Sequence, residues 1–222
     1  MSNRLDSAIE NIFNKIGTTD KFFVEFGTYD GLTDLCTNLY RTQDWSGLFL
    51  EADKHKCNMI AQNVKGYPVN VDQAFITAEN INELFSRNNV PKSFDFLNID
   101  IDCMDYWIWR ALEYRPRVVF IEYNAVKSPP ELAVFPYNPR GMWNGTRHFG
   151  ASLQSLVNLG KQKGYELAGC APIGDSCYFV IEEEFYKLGI SDNSPEKLYE
   201  TPKYGSAPDG GHPYPDGSYI AI

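Results

Sequence analysis

The chain has 222 residues, of which 43% are hydrophobic and 14% aromatic, enough to bury one sizeable core. Its formal charge of −9 argues against a nucleic-acid partner, because binding to a phosphate backbone draws on clustered lysine and arginine. No run approaches the roughly 18 apolar residues that span a bilayer, so we expect no membrane partner and a cytoplasmic location. Five cysteines without a C-x-x-C pair indicate reduced thiols and not a zinc or redox site.

Hydrophobic periodicity divides the chain into alternating elements after an opening helix over 7–15, which ends at Gly17. Strands are predicted where apolar runs are bounded by turn residues, at 22–26, 47–50, 69–75, 94–99, 118–123, 165–168 and 178–181. Helices are predicted between strands over 32–40, 54–63, 81–88, 106–114 and 152–163.

The order of these elements predicts an α/β fold with one seven-stranded, mostly parallel sheet and helices on both of its faces. Only residues 170–177 separate the last two strands, so these strands should form an antiparallel hairpin at the sheet edge. A helix after each of the first five strands, followed by such a hairpin, is typical of the Rossmann-like class I methyltransferase variant of the doubly wound fold. A standard dinucleotide-binding fold lacks that hairpin.

The predicted domain covers residues 1–182, and residues 183–222 form a Pro- and Gly-rich C-terminal extension that packs on the same domain. Residues 125–148 break the pattern with Pro, Asn, Gly and aromatic residues, over a length well beyond the about 4 to 6 residues of an ordinary connection. Long loops after the carboxyl ends of strands commonly hold the substrate. We therefore interpret 125–148 as a substrate-side insert.

The first predicted strand runs into an acidic strand end and a glycine-bearing turn at residues 24–31. Its E-x-G-x-x-x-G spacing lacks the three glycines that seat a pyrophosphate on a helix N-terminus. The turn instead admits a ligand close to the Gly27 backbone, with Glu25 able to bind a positive amino group. These features indicate the methionine end of S-adenosylmethionine; glycines that only shape a turn are the alternative. The cofactor-binding residues predicted from this stretch are Glu25, Gly27, Thr28, Tyr29 and Asp30.

A second apolar run ends at Glu51, where a carboxylate can accept hydrogen bonds from two ribose hydroxyls. Ala52 follows and belongs to the same predicted adenosine site, while a simple surface role for Glu51 is the alternative. Asp72 and Gln73 end the third predicted strand, where one of them could hydrogen-bond the exocyclic amine of adenine. An ordinary solvent-facing pair is an equally good interpretation of Asp72 and Gln73.

Asn98, Asp100 and Asp102 occupy every second position where the fourth predicted strand leaves the sheet, so their side chains share one face. The fifth predicted strand ends close to Glu122. Acidic side chains on neighbouring strand ends repel unless a cation lies between them, and oxygen ligands suit Mg²⁺, Ca²⁺ or Mn²⁺. Asp100, Asp102 and Glu122 are thus the predicted metal ligands. In the metal-free alternative, Asp100 or Asp102 contacts the cofactor and the substrate hydroxyl directly.

The insert supplies the candidate acceptor residues. Aromatic rings beside Asn and Arg suit carbohydrate, because apolar sugar faces pack on rings while sugar hydroxyls need hydrogen bonds. His148 is a candidate general base, since an unshifted imidazole titrates near neutrality, and capping of the helix near Ser152 is its alternative role. The predicted substrate-side residues are Tyr137, Asn138, Arg140, Trp143, Asn144 and Arg147, and the predicted catalytic residues are Asp100, Asp102 and His148.

Four stretches resemble the FkbM-like class I methyltransferases: Val-Glu-Phe-Gly-Thr-Tyr-Asp-Gly at 24–31, Trp-Ser-Gly-Leu-Phe-Leu-Glu-Ala-Asp at 45–53, Asn-Ile-Asp-Ile-Asp at 98–102 and Val-Phe-Ile-Glu-Tyr-Asn at 119–124. The resemblance implies a Rossmann-like fold, S-adenosylmethionine as methyl donor and a hydroxyl acceptor, often on a sugar or a glycosylated product. Cys103 departs from the glycine expected after the Asp-Ile-Asp run, which bears on how close the backbone comes to the ligand there.

The resulting prediction is transfer of a methyl group from S-adenosylmethionine to a hydroxyl, in which the enzyme mainly positions the reactants. Asp100, Asp102, Glu122 or His148 would ease deprotonation of the acceptor, directly or through a divalent cation.

Two other functions remain as alternatives to methyl transfer. A nicotinamide-dependent oxidoreductase could use a similar sheet, although Thr28 and the missing third glycine weigh against it. A catalytically silent interaction module is the other, and the joint presence of Glu25, Glu51, Asp100 and Asp102 argues against it. The identity of the acceptor and the oligomeric state are not predicted, because fold does not fix substrate.

Overall fold

The computed structural model describes residues 2–222, with side chains from residue 8 onward. The described residues contribute seven strands to one sheet: β1 (Phe22–Phe26), β2 (Ser46–Glu51), β3 (Val69–Gln73), β4 (Ser93–Ile99), β5 (Arg115–Glu122), β6 (Tyr165–Cys170) and β7 (Ser176–Ile181). The helices are α1 (Ser2–Ile16), α2 (Thr37–Thr42), α3 (Lys54–Asn63), α4 (Ile81–Arg87), α5 (Asp105–Ala111), α6 (Leu153–Gln162), α7 (Glu182–Phe185) and α8 (Pro195–Leu198), with a 3-10 turn at Tyr186–Leu188.

The strand order across the sheet is β3-β2-β1-β4-β5-β7-β6. Strand β1 pairs in parallel with β2 and with β4, and β2 pairs in parallel with β3, whereas β6 and β7 are antiparallel. Helices lie on both faces of this sheet. The predicted fold class, a Rossmann-like, mostly parallel sheet of seven strands with a C-terminal antiparallel hairpin, is confirmed.

Several element boundaries differ from the sequence prediction by a few residues, and the contacts of charged side chains explain two of these differences. Helix α2 begins at Thr37 and not at residue 32, because the Asp30 and Asp34 carboxylates bind backbone N–H groups of the preceding turns. Strand β5 begins at Arg115, ahead of the apolar run at 118, since Arg117 is buried inside the strand and pairs with Asp95 at 2.5 Å. Both boundaries depend on contacts of charged side chains, so the pattern of apolar residues did not predict them.

The chain divides into two compact units, of which the first comprises Met1–Asp100 and Ala111–Val119. Its core contains a group of aromatic rings, with the Phe23 and Phe49 centroids 5.3 Å apart. Gly47 lies against this group, and a Cβ there would overlap the Phe23 ring, so that only glycine fits. The packing fixes β1 against β2 and therefore the relative positions of the ends of both strands.

The second unit comprises Ile101–Arg110 and Phe120–Ile222. Its core includes Trp109 and Phe179, whose ring centroids are 4.8 Å apart. The end of the chain lies against this unit, because Ile220 pairs with Val134. The division of the chain into a domain at 1–182 and an extension at 183–222 stays a prediction.

Among residues 2–222, no helix has both the length and the apolar character needed to cross a membrane. All five cysteines carry free thiols. Burial raises the pKa of the Cys103 and Cys170 thiols to about 12, so both stay protonated at neutral pH and are poor metal ligands or nucleophiles.

Candidate functional site

The ends of three neighbouring strands bring the predicted cofactor residues together. Phe26 pairs with Leu50 in the β1–β2 register, and the Gly27 N–H donates to the Leu50 carbonyl at 3.2 Å. Gly27 therefore lies beside Glu51. In the register of β2 with β3, Glu51 pairs with Gln73. Gly27 is exposed at φ +69°, a left-handed conformation that favours glycine and leaves its backbone open to a ligand.

The loop at residues 27–36, between β1 and α2, folds around three carboxylates of the chain itself. Asp34 accepts the N–H groups of Tyr29 at 2.6 Å, Asp30 at 3.1 Å and Gly31. Asp30 accepts the N–H groups of residues 32 and 33, and Glu25 accepts those of residues 35 and 36. N–H groups that would cradle a phosphate in a dinucleotide loop are thus already bound to acids.

Glu25 is 3% exposed, and its carboxylate has donors from within the chain. It accepts the Leu35 N–H at 3.2 Å, the Cys36 N–H at 3.0 Å and the Asn98 amide at 2.8 Å. Burial, with a further contribution from the Asp34 charge, raises the pKa of Glu25 to about 7. These contacts make Glu25 a support of the loop; direct binding of a ligand amine by Glu25 stays a prediction.

Two buried polar atoms beside Glu25 have no hydrogen-bond partner within the described part of the chain. They are the hydroxyl oxygen of Thr28 and the amide oxygen of Asn98. Thr28 is fully buried and Asn98 is 3% exposed. Such an atom left unsatisfied costs about 1–3 kcal/mol, which favours a partner from outside the chain. A ligand with hydrogen-bonding groups would fit this end of the sheet.

Glu51 lies at the end of β2 and is 7% exposed. One of its oxygens accepts the Asp53 N–H at 2.7 Å, and the other is 4.0 Å from the Lys56 ammonium. That second distance is too long for a hydrogen bond, so this oxygen can accept from a ligand hydroxyl. Ala52 and Tyr29 are exposed next to it, and the Lys56 ammonium is 5.7 Å from the centre of the Tyr29 ring.

The two candidate adenine contacts have partners within the chain. Asp72 accepts from the Arg87 guanidinium at 2.7 Å and from the Asn88 amide at 2.6 Å. Gln73 is exposed, and its amide donates to the Ala52 carbonyl at 3.3 Å. Asp72 therefore anchors α4 to β3. Gln73 contacts Ala52, which follows Glu51 at the end of β2. Neither adenine contact is more than a prediction.

Asp100, Asp102 and Glu122 form the acidic group that the sequence suggested. Carboxylate oxygens of the three residues all lie within 4.8 Å of one another. Asp100 and Asp102 are exposed and Glu122 is half-buried, and Asp102 adopts a left-handed φ of +70°. Oxygen donors at this separation fit the preference of Mg²⁺, Ca²⁺ or Mn²⁺. Next to them, Cys103 is 1% exposed, so its side chain packs inward.

Several insert residues form their own turns. Asn138 accepts the Arg140 N–H at 3.0 Å, and Asn144 accepts the Thr146 N–H at 3.1 Å. The Trp143 indole donates to the Thr146 carbonyl at 2.6 Å, with its ring 37% exposed. Exposed Arg140 and half-buried Tyr137 complete the predicted acceptor side.

Arg147 is buried and its side chain is bound within the chain. It is 3% exposed, and its guanidinium pairs with both oxygens of Asp209 at 3.0 and 2.8 Å. Its guanidinium carbon also lies 3.6 Å from the centre of the Tyr214 ring. These contacts tie the insert to the C-terminal segment, and they occupy the side chain that was predicted to contact the acceptor.

His148 packs in the same region. Its Nε2 is 2.9 Å from the Ser218 carbonyl, and its ring lies 4.6 Å from that of Phe135 and 4.9 Å from that of Tyr219. The cap of α6 is provided by Ser152, whose side chain accepts the Ser155 N–H, so the alternative role of His148 as a helix cap is wrong. A role of His148 as general base stays a prediction.

The sequence interpretation did not single out His212. Its ring lies 4.3 Å from Trp143, 5.2 Å from Tyr204 and 5.3 Å from Phe149. Partial burial lowers the pKa of His212, and the Asp102 charge opposes that shift, which places the imidazole near the acidic group. A single histidine in a Pro- and Gly-rich segment has no periodic signal that could have indicated this position.

No protein-family model and no curated protein matches the chain. Solved structures do resemble it. The N-terminal domain of EvdMO1, in the presence of SAH and D-fucose, matches at 14% identity and a TM-score of 0.52, over 80% of this chain and 81% of that one. An O-methyltransferase from Bacillus cereus in complex with SAH matches at 15% identity and a TM-score of 0.50, over 82% of each chain. This likeness shows a shared fold.

Proposed function

We propose that this protein is an S-adenosylmethionine-dependent methyltransferase that methylates a hydroxyl of a sugar or glycan, assisted by a divalent cation. The observation that carries the proposal is the loop at 27–36, whose N–H groups are bound by Asp34, Asp30 and Glu25. A pyrophosphate would meet these carboxylates and be repelled, whereas a zwitterionic, sulfonium-bearing ligand would not. The fold shared with SAH-bound structures supports the same donor.

The donor would lie along the ends of β1 and β2. The open Gly27 backbone allows close approach, and the Glu51 oxygen that lies 4.0 Å from the Lys56 ammonium suits a ribose hydroxyl. Thr28 and Asn98 offer buried polar atoms that need a partner. S-adenosylmethionine supplies a methyl group bound to a positively charged sulfur. When the methyl group is transferred, the sulfur leaves as a neutral thioether and needs no acid catalyst. The protein then has to position the acceptor oxygen and remove its proton.

A cation held by Asp100, Asp102 and Glu122 would lower the pKa of a hydroxyl bound to it. Without a cation, Asp100 or Asp102 would accept the proton directly. The exposed Trp143 and half-buried Tyr137 rings suit the apolar face of a sugar. D-fucose in the crystals of the EvdMO1 domain agrees with a sugar acceptor.

Calorimetric titration of the full chain with S-adenosylhomocysteine (SAH) and with NAD tests the donor. We expect SAH to bind and NAD not to bind. Binding of NAD without SAH would overturn the proposal in favour of an oxidoreductase. Transfer from labelled S-adenosylmethionine to a panel of sugars and phenols, including D-fucose and catechol, then tests the reaction. Binding of SAH with no transfer to any acceptor would favour a silent module.

Titration with Mn²⁺ tests the cation site. Wild type should bind one Mn²⁺, and Asp102→Asn should weaken binding by about 10-fold or more, because one of three charged ligands is lost. Asp192→Asn is the matched control, since Asp192 is an exposed carboxylate that accepts hydrogen bonds from Ser194 in its own turn. Equal affinity of wild type and Asp102→Asn would remove the metal from the proposal and leave the donor assignment intact.

A further inference from the structure

Asp34 organises the loop at 27–36, the donor loop, although neither the E-x-G-x-x-x-G motif nor the strand ends indicated it. Its half-buried carboxylate accepts three consecutive N–H groups, those of Tyr29, Asp30 and Gly31. Hydrogen bonds to an ionised acceptor are roughly twice as strong as neutral ones. Consecutive N–H groups that converge on one anion are also the arrangement by which phosphate-binding loops hold their ligand.

Other contacts hold the opposite side of the same segment. The Asn63 amide donates to the Asp30 carbonyl at 2.8 Å, and the Tyr40 hydroxyl donates to the Gly31 carbonyl. Gly31 has φ +75°, and a Cβ there would lie 3.2 Å from Ile60 of α3. The carbonyl side of the segment is thus fixed by α2 and α3, while its N–H side is fixed by Asp34. Loss of Asp34 would free the N–H groups without releasing the loop from the helices.

Resting on the proposed function, we propose that Asp34 is the positioning residue that sets donor specificity, by occupying as an internal anion the place where a phosphate-bearing nucleotide would bind. Its carboxylate keeps the N–H groups of residues 29–31 turned away from the ligand. Its charge also repels an incoming phosphate and favours a ligand with cationic groups. The site therefore accepts S-adenosylmethionine and its product and rejects nucleotides that carry a diphosphate.

The test compares affinities for SAH and ADP, which share adenosine and differ in the group that faces this loop. Calorimetry is done on wild type, Asp34→Ala and Asp34→Asn. In Asp34→Ala we expect SAH to bind about 10-fold or more weakly, and the preference for SAH over ADP to fall by at least as much. Asp34→Asn keeps one acceptor oxygen without the charge, so its preference should lie between those of wild type and Asp34→Ala.

Asp20→Ala is the matched control. Asp20 is an exposed carboxylate before the start of β1 that accepts the Phe22 N–H at 3.1 Å, at the end of the strand away from the loop. Its variant should keep the wild-type preference. Thermal unfolding without ligand should show a loss of about 5 °C or less for the Asp34 variants. A merely structural role of Asp34 would lower both affinities alike and leave their ratio unchanged.

The outcomes separate the two proposals. If wild type fails to bind SAH, the proposed function falls and the role of Asp34 falls with it. If wild type binds SAH and the SAH-to-ADP preference stays within about twofold in both Asp34 variants, only the role of Asp34 is overturned. Should Asp34→Ala fail to fold, the measurement on Asp34→Asn decides.

Discussion

The donor loop at 27–36 and the acceptor-side region, formed by the insert and residues 203–222, are held in opposite ways. In the donor loop, acids bind backbone groups close in sequence, as Asp34 binds the Tyr29 N–H five residues away. In the acceptor-side region, partners are distant, since Arg147 and Asp209 are 62 residues apart and Asn124 and Tyr219 are 95 apart. A short loop needs little entropy to close, whereas distant partners must be brought together by the rest of the fold.

The two ways of holding the chain suit two different tasks, binding of the donor and binding of the acceptor. A donor common to many reactions can be bound by a compact loop whose shape is determined locally. An acceptor-side surface built from separate segments can change through substitutions in either segment without disturbing the sheet. Exposed residues of that surface can therefore vary freely, whereas the buried residues that join its segments should affect stability when they are replaced. Beside the donor loop, the buried Glu25 should make stability depend on pH.

The largest expected effect comes from Asn124, which joins the segments of the acceptor-side region. It is fully buried, and its amide nitrogen lies within 3.0 Å of the Arg147 and Phe149 carbonyls and of the Tyr219 hydroxyl. Asn124→Ala should lower the free energy of unfolding by about 3–4 kcal/mol, because buried acceptors lose their donor. Urea denaturation measures this loss.

The control for that experiment is Asn138→Ala, which removes an exposed asparagine of the insert at 125–148 and should cost less than about 1 kcal/mol. The affinity of Asn124→Ala for SAH, measured at a temperature where it is folded, should stay close to that of wild type. A loss of stability no greater than that of Asn138→Ala would mean that the acceptor-side region does not depend on this residue.

A somewhat smaller effect is expected from Glu25, the strand residue whose carboxylate binds the end of the donor loop, and it appears as a pH dependence of stability. The pKa of Glu25 in the folded protein is about 7, raised by burial from 4.5. A raised carboxyl pKa means that the protonated form favours folding, so this stabilisation is complete at low pH and is lost as the pH rises through about 7. Between pH 5 and 8, the free energy of unfolding should fall by about 2–3 kcal/mol more in wild type than in Glu25→Gln.

Denaturation curves of the two proteins at several pH values give that difference directly, because other titrating groups are common to both. Glu113→Gln serves as the control, since Glu113 is an exposed carboxylate outside the donor loop and its replacement should leave the wild-type slope unchanged. Parallel stability curves for wild type and Glu25→Gln across this range would show that Glu25 is ionised in the folded protein without cost.

The two regions also differ in how far sequence reasoning reached. The strands, their order of appearance and the convergence of Gly27 with Glu51 follow from apolar runs that end in turn residues. The helix predicted over 32–40 begins only at Thr37, because Asp34 competes locally for the backbone N–H groups of the donor loop. Aspartate is a common turn residue, so this signal was present in the sequence.

In the acceptor-side region, the contacts were beyond sequence reasoning. Patterns in one segment show its periodicity but not which distant segment pairs with it. Arg147 looked like a surface residue for binding an acceptor, but it is buried against Asp209 and Tyr214. No sequence pattern indicated His212 as a site residue, and its position near Asp102 depends on how the C-terminal segment packs. Tertiary packing decides such placements, and local propensity does not.

The smallest expected effect concerns the Arg147–Asp209 pair. Arg147 is 3% exposed, whereas the Asp209 side chain is 52% exposed, so water screens the attraction between them. Arg147→Met keeps most of the buried stem and should cost about 1–2 kcal/mol through lost contacts to the His212 carbonyl and to Tyr214. Asp209→Asn should cost less than Arg147→Met, although the pair holds the pKa of Asp209 at about 2.

A double-mutant cycle with urea denaturation separates packing from charge in this pair. The coupling between Arg147→Met and Asp209→Asn should be smaller than the loss caused by Arg147→Met alone, and it should shrink further in high salt. A coupling as large as the whole effect of Arg147→Met would show that the two distant segments are joined by the ion pair. Packing of a buried guanidinium against Tyr214 would then have a minor part, and the acceptor-side region would depend on charge much as the donor loop does.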